Sequence, residues 1–183
     1  QLSTVTFGSN SALVTIEANA FKGTGITTFA MPASVQVLGD QVFYDCGALL
    51  SVTIPDDSML ASIGDRAFYE AALSSFTIPA TLTSIGQYAF QGCKSLASMT
   101  VASNSQLTSI GAYAFSRTAI VSLNIPGTVT TLGSSIFLYC TAVTTVNFGD
   151  NSMLTTLGTN VLQGLTQLST VTFGSNSALV TIE

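Results

Sequence analysis

The sequence predicts a repeat solenoid of about seven and a half coils, each of 23–25 residues with a short parallel strand and a tight turn. Three observations predict it. A pattern Leu-x-x-Φ-x-Φ (Φ apolar) begins anew at Leu2, Ile26, Leu49, Leu73, Leu96, Ile120, Val143 and Leu168. In most units an Ile-Gly or Leu-Gly pair and then a Phe follow at near-constant distances, as in Ile85-Gly86 and Phe90. Residues 167–183 repeat residues 1–17 without a substitution, 166 positions further on. Units this small cannot bury an apolar face alone and must stack on one another to do so.

The unit from Leu73 to Ser95 shows the elements in order. Leu73, Phe76 and Ile78 alternate with Ser75 and Thr77, the period of a half-buried strand, and Pro79 stops it. A hydroxyl-rich segment then closes on Ile85-Gly86, and a turn carries Tyr88-Ala89-Phe90. Too few residues separate Phe90 from the next strand for a full helix, so a 3₁₀ or one-turn helix is expected there. Stacked about 4.8 Å apart, the units share one apolar column.

Two coil lengths alternate. From the first Leu to the Ile of the Ile-Gly position takes 14 residues in odd units and 12 in even ones, because odd units insert a loop such as Gly8-Ser9-Asn10-Ser11-Ala12. From the Phe to the next strand takes five residues in odd units and six in even ones. The seventh unit has both a long front (Val143 to Leu157) and a long tail (Leu162 to Leu168), and the unit after it has a long front again. An odd number of coils cannot repeat under strict alternation, and the hybrid seventh coil removes the conflict. The expected organisation is one solenoid over 1–183 with a 166-residue super-period, cut from a longer array or built to continue into a copy of itself. The Gln at position 1, where a native start has Met, fits an excised or processed segment.

Ile54-Pro55, Ile78-Pro79 and Ile125-Pro126, the pairs Ile63-Gly64, Ile85-Gly86 and Ile110-Gly111, and Ala67-Phe68, Ala89-Phe90 and Ala114-Phe115 together resemble the BspA-like (Treponema-type) leucine-rich repeat family; Gly92-Cys93 completes one copy. The resemblance covers essentially the whole chain. It implies a leucine-rich repeat solenoid. It also implies display outside the cell or on its surface, where similar proteins bind host proteins or other cells.

Composition narrows the function. Charged residues make up 7 % of the chain, against about 25 % in ordinary domains, so hydroxyl groups must supply the polar surface. The net charge is −5 and the only cations are Lys22, Arg66, Lys94 and Arg117, so no basic stripe for nucleic acid exists. No apolar run reaches the length of a membrane span, and no signal-peptide pattern opens the segment. Histidine is absent, which removes Ser/His/Asp and Cys/His nucleophilic schemes but not carboxylate-only chemistry. The acidic candidates are Asp56-Asp57 and Asp150 in the inserted loops, and Asp40, Asp45, Asp65 and Glu70 in turns; of these, Asp56 and Asp57 are the pair that a calcium site or a glycosidase would use. Solvated or capping turn acids explain them better, so neither an enzyme nor a cofactor is expected. Asn10, Asn104, Asn151 and Asn176 form a column in the same loop, where satisfying turn backbone is the expected role.

Cys46, Cys93 and Cys140 recur every 47 residues, two coils apart. At about 10 Å along the stack they exceed the roughly 7 Å Cα limit for a disulfide. They read as a structural column of small buried side chains, with bridging between chains or a metal ladder as the alternative. Without His, three single Cys make no zinc site.

The strongest surface feature is hydroxyl. One column is Thr4, Thr28, Ser51, Ser75, Ser98, Ser122, Thr145 and Thr170; its neighbour is Thr6, Thr53, Thr77, Thr100 and Thr172, with Ala30, Asn124 and Asn147 filling the gaps. Another array, Thr15, Ser62, Ser84, Ser109, Thr131, Thr156 and Thr181, precedes the Ile-Gly position. Such residues pack well on a parallel sheet and keep it wet without charge. They also offer a contact face for glycan, a matrix protein or ice, or a site of O-glycosylation; Asn-x-Ser/Thr does not occur. The expected function is therefore a non-enzymatic extracellular structural array or head-to-tail filament whose main partner is itself. Adhesion to host proteins or glycans is the alternative, and ice binding a lesser one. The array reading predicts that sequencing beyond Glu183 returns Ala-Asn-Ala-Phe or a near copy; an unrelated polar cap there contradicts it.

Overall fold

A computed structural model of the chain describes residues 2–182. Each coil after the first contributes a front strand: β2 (Thr28–Ala30), β4 (Ser51–Thr53), β6 (Ser75–Ile78), β8 (Ser98–Val101), β10 (Ser122–Ile125), β12 (Thr145–Phe148) and β14 (Thr170–Phe173). The sides alternate as the sequence pattern requires: in β6, Phe76 and Ile78 are buried while Ser75 and Thr77 are exposed. Pairing is parallel and in register, Ser75 to Ser98 and Thr77 to Thr100, for example, so each column holds one kind of residue. Regular pairing along the front is interrupted into the groups β2-β4, β6-β8 and β10-β12-β14.

Sequence reasoning assigned one strand to each coil, but the coils have two. The hydroxyl-rich array before the Ile-Gly position forms two-residue strands: β1 (Thr15–Ile16), β3 (Val37–Leu38), β5 (Ser62–Ile63), β7 (Ser84–Ile85), β9 (Ser109–Ile110), β11 (Thr131–Leu132), β13 (Thr156–Leu157) and β15 (Thr181–Ile182). The first six make the longest sheet, in the order β1-β3-β5-β7-β9-β11, and β13 pairs with β15. A glycine follows most of them for a steric reason. A Cβ at Gly111 would lie 2.5 Å from the backbone N of Gln87 in the coil before, and one at Gly86 would lie 2.6 Å from that of Asp65. Only a bare Cα lets the coils approach to strand spacing.

The expected 3₁₀ or one-turn helix is replaced by hydrogen-bonded turns; no helix occurs among the described residues. Two left-handed residues four positions apart recur in each turn, such as Gln41 (φ 56°) with Asp45 (φ 56°), Arg66 (φ 54°) with Glu70 (φ 54°), and Tyr113 (φ 58°) with Arg117 (φ 58°). These dihedrals break any helical run. The backbone donors are satisfied instead by two alternating patterns. Asn19, Phe21 and Gly23 donate their N–H groups to the carbonyls of Asp40, Val42 and Tyr44 in the next coil, at 2.8–2.9 Å. Ala20, Lys22 and Thr24 between them donate to the residue three back, at 3.1–3.3 Å. The turn is thus bonded from coil to coil as a strand would be.

The core is an aromatic spine. Phe21, Phe43, Phe68, Phe90, Phe115 and Phe137 stack in sequence with ring centroids 5.1–6.0 Å apart, and all after the first are fully buried. Front-strand rings press on it from the other side, Phe29 at 4.9 Å from Phe43 and Phe76 at 4.9 Å from Phe90. Each such pair contributes about 0.5–1.5 kcal/mol beyond the area it buries.

Alternation of long and short coils also has a physical cause. The inserted odd loop turns on a Ser whose Oγ accepts from the amide two residues on, Ser58 from Leu60 and Ser105 from Leu107, both at 3.2 Å. It leaves carbonyls pointing at the next coil. There Thr81 Oγ1 donates to the carbonyls of Ser58 (3.1 Å) and Leu60 (2.9 Å), and Thr128 Oγ1 to that of Leu107 (2.7 Å). A short even coil with a hydroxyl at this place complements the long coil beneath it. Gly111→Ala is expected to cost about 2–4 kcal/mol in urea denaturation, since backbone must move to admit the methyl. Gly158→Ala, where the nearest atom would be 3.7 Å away, is expected to stay within about 0.5 kcal/mol of the parent.

Candidate functional site

The front strands place Thr28, Thr53, Ser75, Thr77, Ser98, Thr100, Ser122 and Asn124 on the exposed side, with Ser51, Thr145 and Asn147 half-buried among them. Thr4 and Thr6 are exposed too, although the first coil's front forms no regular strand. The two columns differ in chemistry. In the second, neighbours join across coils: Thr77 to Thr100 at 3.0 Å, Asn147 Nδ2 to Asn124 Oδ1 at 2.8 Å, and Thr172 Oγ1 to Asn147 Oδ1 at 2.5 Å. In the first, Thr28, Ser51, Ser75, Ser98, Ser122 and Thr145 make no side-chain hydrogen bond among the described residues and present their hydroxyls to water. Many hydroxyls elsewhere serve the backbone instead: Thr83, Thr108 and Thr130 each donate to a carbonyl one coil earlier, at 2.9–3.2 Å.

The three cysteines are fully buried and free. Each thiol caps the carbonyl of the spine Phe one coil earlier: Cys46 to Phe21 at 3.1 Å, Cys93 to Phe68 at 3.0 Å and Cys140 to Phe115 at 2.9 Å. A folded coil offers these thiols no path to a neighbouring chain, and they act as small core side chains with one weak donor. Burial pushes the Cys93 thiol up to about 12, and burial likewise raises that of Cys140.

Asp56 and Asp57 are both exposed, and no group of three His, Cys, Asp or Glu is placed to hold a metal among the described residues. Asn104, Asn151 and Asn176 are left-handed, at φ 60°, 53° and 57°, a conformation that Asn tolerates well in a loop, whereas Asn10 in the first coil is not. Asp150 has a distinct task. It sits where one long-front coil lies on another, with no even-coil threonine to bridge them. Its Oδ1 accepts from the Ser175 amide at 2.8 Å and the Ser175 hydroxyl at 2.9 Å, bonds that hold its carboxyl below the usual range.

One feature escaped sequence reasoning. All five tyrosines and three of the four cations form three ladders along the turn edge. Lys22 lies over the Tyr44 ring (4.5 Å), which stacks on Tyr69 (4.7 Å); Arg66 lies over Tyr88 (4.7 Å), which stacks on Tyr113 (5.0 Å); Arg117 lies over Tyr139 (5.4 Å). Burial raises the Tyr69 hydroxyl, and the charges of Glu70 and neighbouring Tyr44 add to the rise against Arg117 and Arg66. The signal was present, because Tyr44 and Tyr69 both follow the spine Phe and Tyr88 and Tyr113 both precede it by two. It spans several columns, so no single column shows it.

A profile for the BspA-type leucine-rich repeat region, present in six copies, matches residues 1–61 and 61–181. The chain belongs to the BspA-type leucine-rich repeat family. Solved structures of the same fold include the pneumococcal vaccine antigen PcpA, 19 % identical with a TM-score of 0.61, and the leucine-rich repeat protein of T. pallidum, 22 % identical with a TM-score of 0.57. The chain is covered over 84 % and 88 % of its length by these matches, and spans 52 % of the pneumococcal chain and 67 % of the treponemal one. No curated protein sequence matches the chain.

The buried thiols generate a pH dependence. Cys93 keeps its proton in the fold up to about 12, whereas the unfolded chain loses it from its ordinary value of 9.0. Between those values the unfolded state binds fewer protons, so stability falls as pH rises through the window. Urea midpoints measured from pH 8 to 11 are expected to decline, and to decline less in Cys93→Ala.

Proposed function

We propose that this BspA-type chain is a module of a non-enzymatic repeat array at the cell surface, in which one 166-residue super-period leads into the next. One observation carries the reading. The same 17-residue sequence occupies two places in the stack. As residues 1–17 it packs beneath the second coil, with Thr15 and Ile16 paired to Val37 and Leu38. As residues 167–183 it packs above the seventh, with Thr170 to Phe173 paired to Thr145 to Phe148. One copy shows how the segment meets the coil above it, and the other how it meets the coil below. Placing both sets of contacts on a single copy continues the solenoid without a break. Phe148 already stacks on Phe173 at 4.9 Å, and Phe173, 40 % exposed, is open on the side where the equivalent Phe7 packs against Phe29 (5.6 Å).

Display outside the cell is supported by the family, whose members are often surface proteins. A surface of hydroxyls in place of charges suits lateral packing or a glycan coat. The row of unbonded hydroxyls from Thr28 to Thr145 supports a second reading, adhesion, in which that face meets glycan or a matrix protein. The test of the array is a chain of two super-periods, residues 1–183 followed directly by 18–183. It is expected to be about 34 Å longer than the single chain by small-angle scattering, from seven further coils at strand spacing. It is also expected to unfold in one transition at a higher urea midpoint. Two separate transitions, or a bent and flexible particle, contradict the reading.

A further inference from the structure

Between Glu70 and Asp150 the chain carries only two charged residues, Lys94 and Arg117. The fold brings both to one place. Lys94 follows the buried Cys93 in the fourth coil, Arg117 sits at a left-handed position in the fifth, and Tyr139 at the matching position in the sixth (φ 58° and 63°). With Thr118 and Thr141 they line an open hollow of about 520 Å³. No acidic residue lines it. Of the other two cations, Lys22 donates to Gln41 Oε1 at 2.6 Å and lies over Tyr44, and Arg66 lies over Tyr88 as Arg117 does over Tyr139 but follows an acid, Asp65, in sequence. Among the described residues neither Lys94 nor the guanidinium of Arg117 has a hydrogen bond or ion pair, and the guanidinium lies over the ring of Tyr139 at 5.4 Å. In a chain of net charge −5 the two cations stand together in the hollow, with one acid beside it on the same edge, Glu70, whose side chain lies against Gly92.

Tyr139 completes the lining with an aromatic face. It is the most exposed tyrosine, at 56 %. One face of its ring is covered by Arg117, and the next coil places Gly164 at the position where a side chain would cover the other. The Thr118 hydroxyl is spent on the Phe115 carbonyl at 2.8 Å and on Cys140 Sγ at 3.3 Å, whereas that of Thr141 is not. The hollow therefore joins two unpaired cations, an open aromatic face and two free hydroxyls, those of Tyr139 and Thr141. Its volume is far larger than a simple anion needs.

We propose that this hollow binds a carboxylated sugar residue of an acidic polysaccharide. Lys94 and Arg117 neutralise the carboxylate. The apolar face of the pyranose lies on the bare side of Tyr139. The hydroxyls of Tyr139 and Thr141 take up ring hydroxyls of the sugar. The site lies on the turn edge, away from the front columns, and does not rest on continuation of the array.

A calorimetric or NMR titration of the 183-residue chain with a galacturonic acid trimer tests it. The trimer is expected to bind, and its neutral methyl ester to bind at least about tenfold more weakly; this arm needs no variant. Lys94→Gln and Arg117→Gln are each expected to weaken binding about fivefold, Gln being tolerated at a left-handed turn position as Gln41 shows. Tyr139→Asn is expected to weaken it by a similar factor with the salt dependence unchanged, and Lys22→Gln to leave it alone. Absence of trimer binding, equal binding of the ester, or indifference to Lys94→Gln and Arg117→Gln overturns the proposal. Equally tight binding of a hexaglutamate peptide also overturns it, because the site then reads charge alone.

Discussion

Backbone hydrogen bonding between successive coils at the spacing of parallel strands is the constraint on which everything else depends. It acts at three places around each coil: the front strand, the two-residue strand, and the turn whose amides donate to the next coil's carbonyls. Holding three sides at one pitch leaves little freedom in coil height, so side chains that would enlarge the spacing are excluded. That is why glycine recurs where Gly64, Gly86 and Gly111 lie against backbone. It is also why the rings of Phe43, Phe68 and Phe90 stack nearly parallel, each 11° from the next. A ring lying flat in a coil fits a column of fixed pitch, and removing one of these rings opens a cavity costing about 3–5 kcal/mol.

The same constraint governs polar groups. A coil that carries an extra loop must have its spare carbonyls satisfied by the coil above, and Thr81 and Thr128 do this with one hydroxyl each. The three thiols cap spine carbonyls in the same manner, with sulfur small enough to stay inside the column. At the junction of two long coils the bond runs the other way, Asp150 Oδ1 accepting from the amide and hydroxyl of Ser175 in the coil above. The low charge of the chain follows in part: groups one coil apart sit close, and a column of like charges would repel itself along the whole stack. Neutral hydroxyls avoid this, and the cations that do occur lie over tyrosine rings in three cases out of four.

Much of this was legible in the sequence. The period, the spine Phe, the buried side of the front strands and the coil-length parity all come from residues that recur at one place in the unit, and recurrence is what sequence displays best. Two-residue strands such as Ser84–Ile85 were not legible, because two residues are too few to show an alternation. Nor was the turn, since left-handed dihedrals at Arg66, Tyr88 and Tyr113 fall on residue types that seldom adopt them and are held there by the coil above. The hydroxyl columns follow from the alternation of the front strands, but which hydroxyls are spent depends on carbonyls one coil away, as at Thr83 and Thr108. The meeting of Lys94, Arg117 and Tyr139 was hidden for another reason: the three belong to consecutive coils and to different positions in the unit.

The turns are held as strongly as the strands, although they carry no regular secondary structure. Amide hydrogen exchange read residue by residue under native conditions tests this most directly. The amides of Phe43, Phe68, Phe90 and Phe115, which donate to the next coil, are predicted to exchange as slowly as the front-strand amides of coils three to five, with protection falling toward both ends. Exchange of those turn amides at the rate of an open surface loop, beside protected front strands, would contradict it.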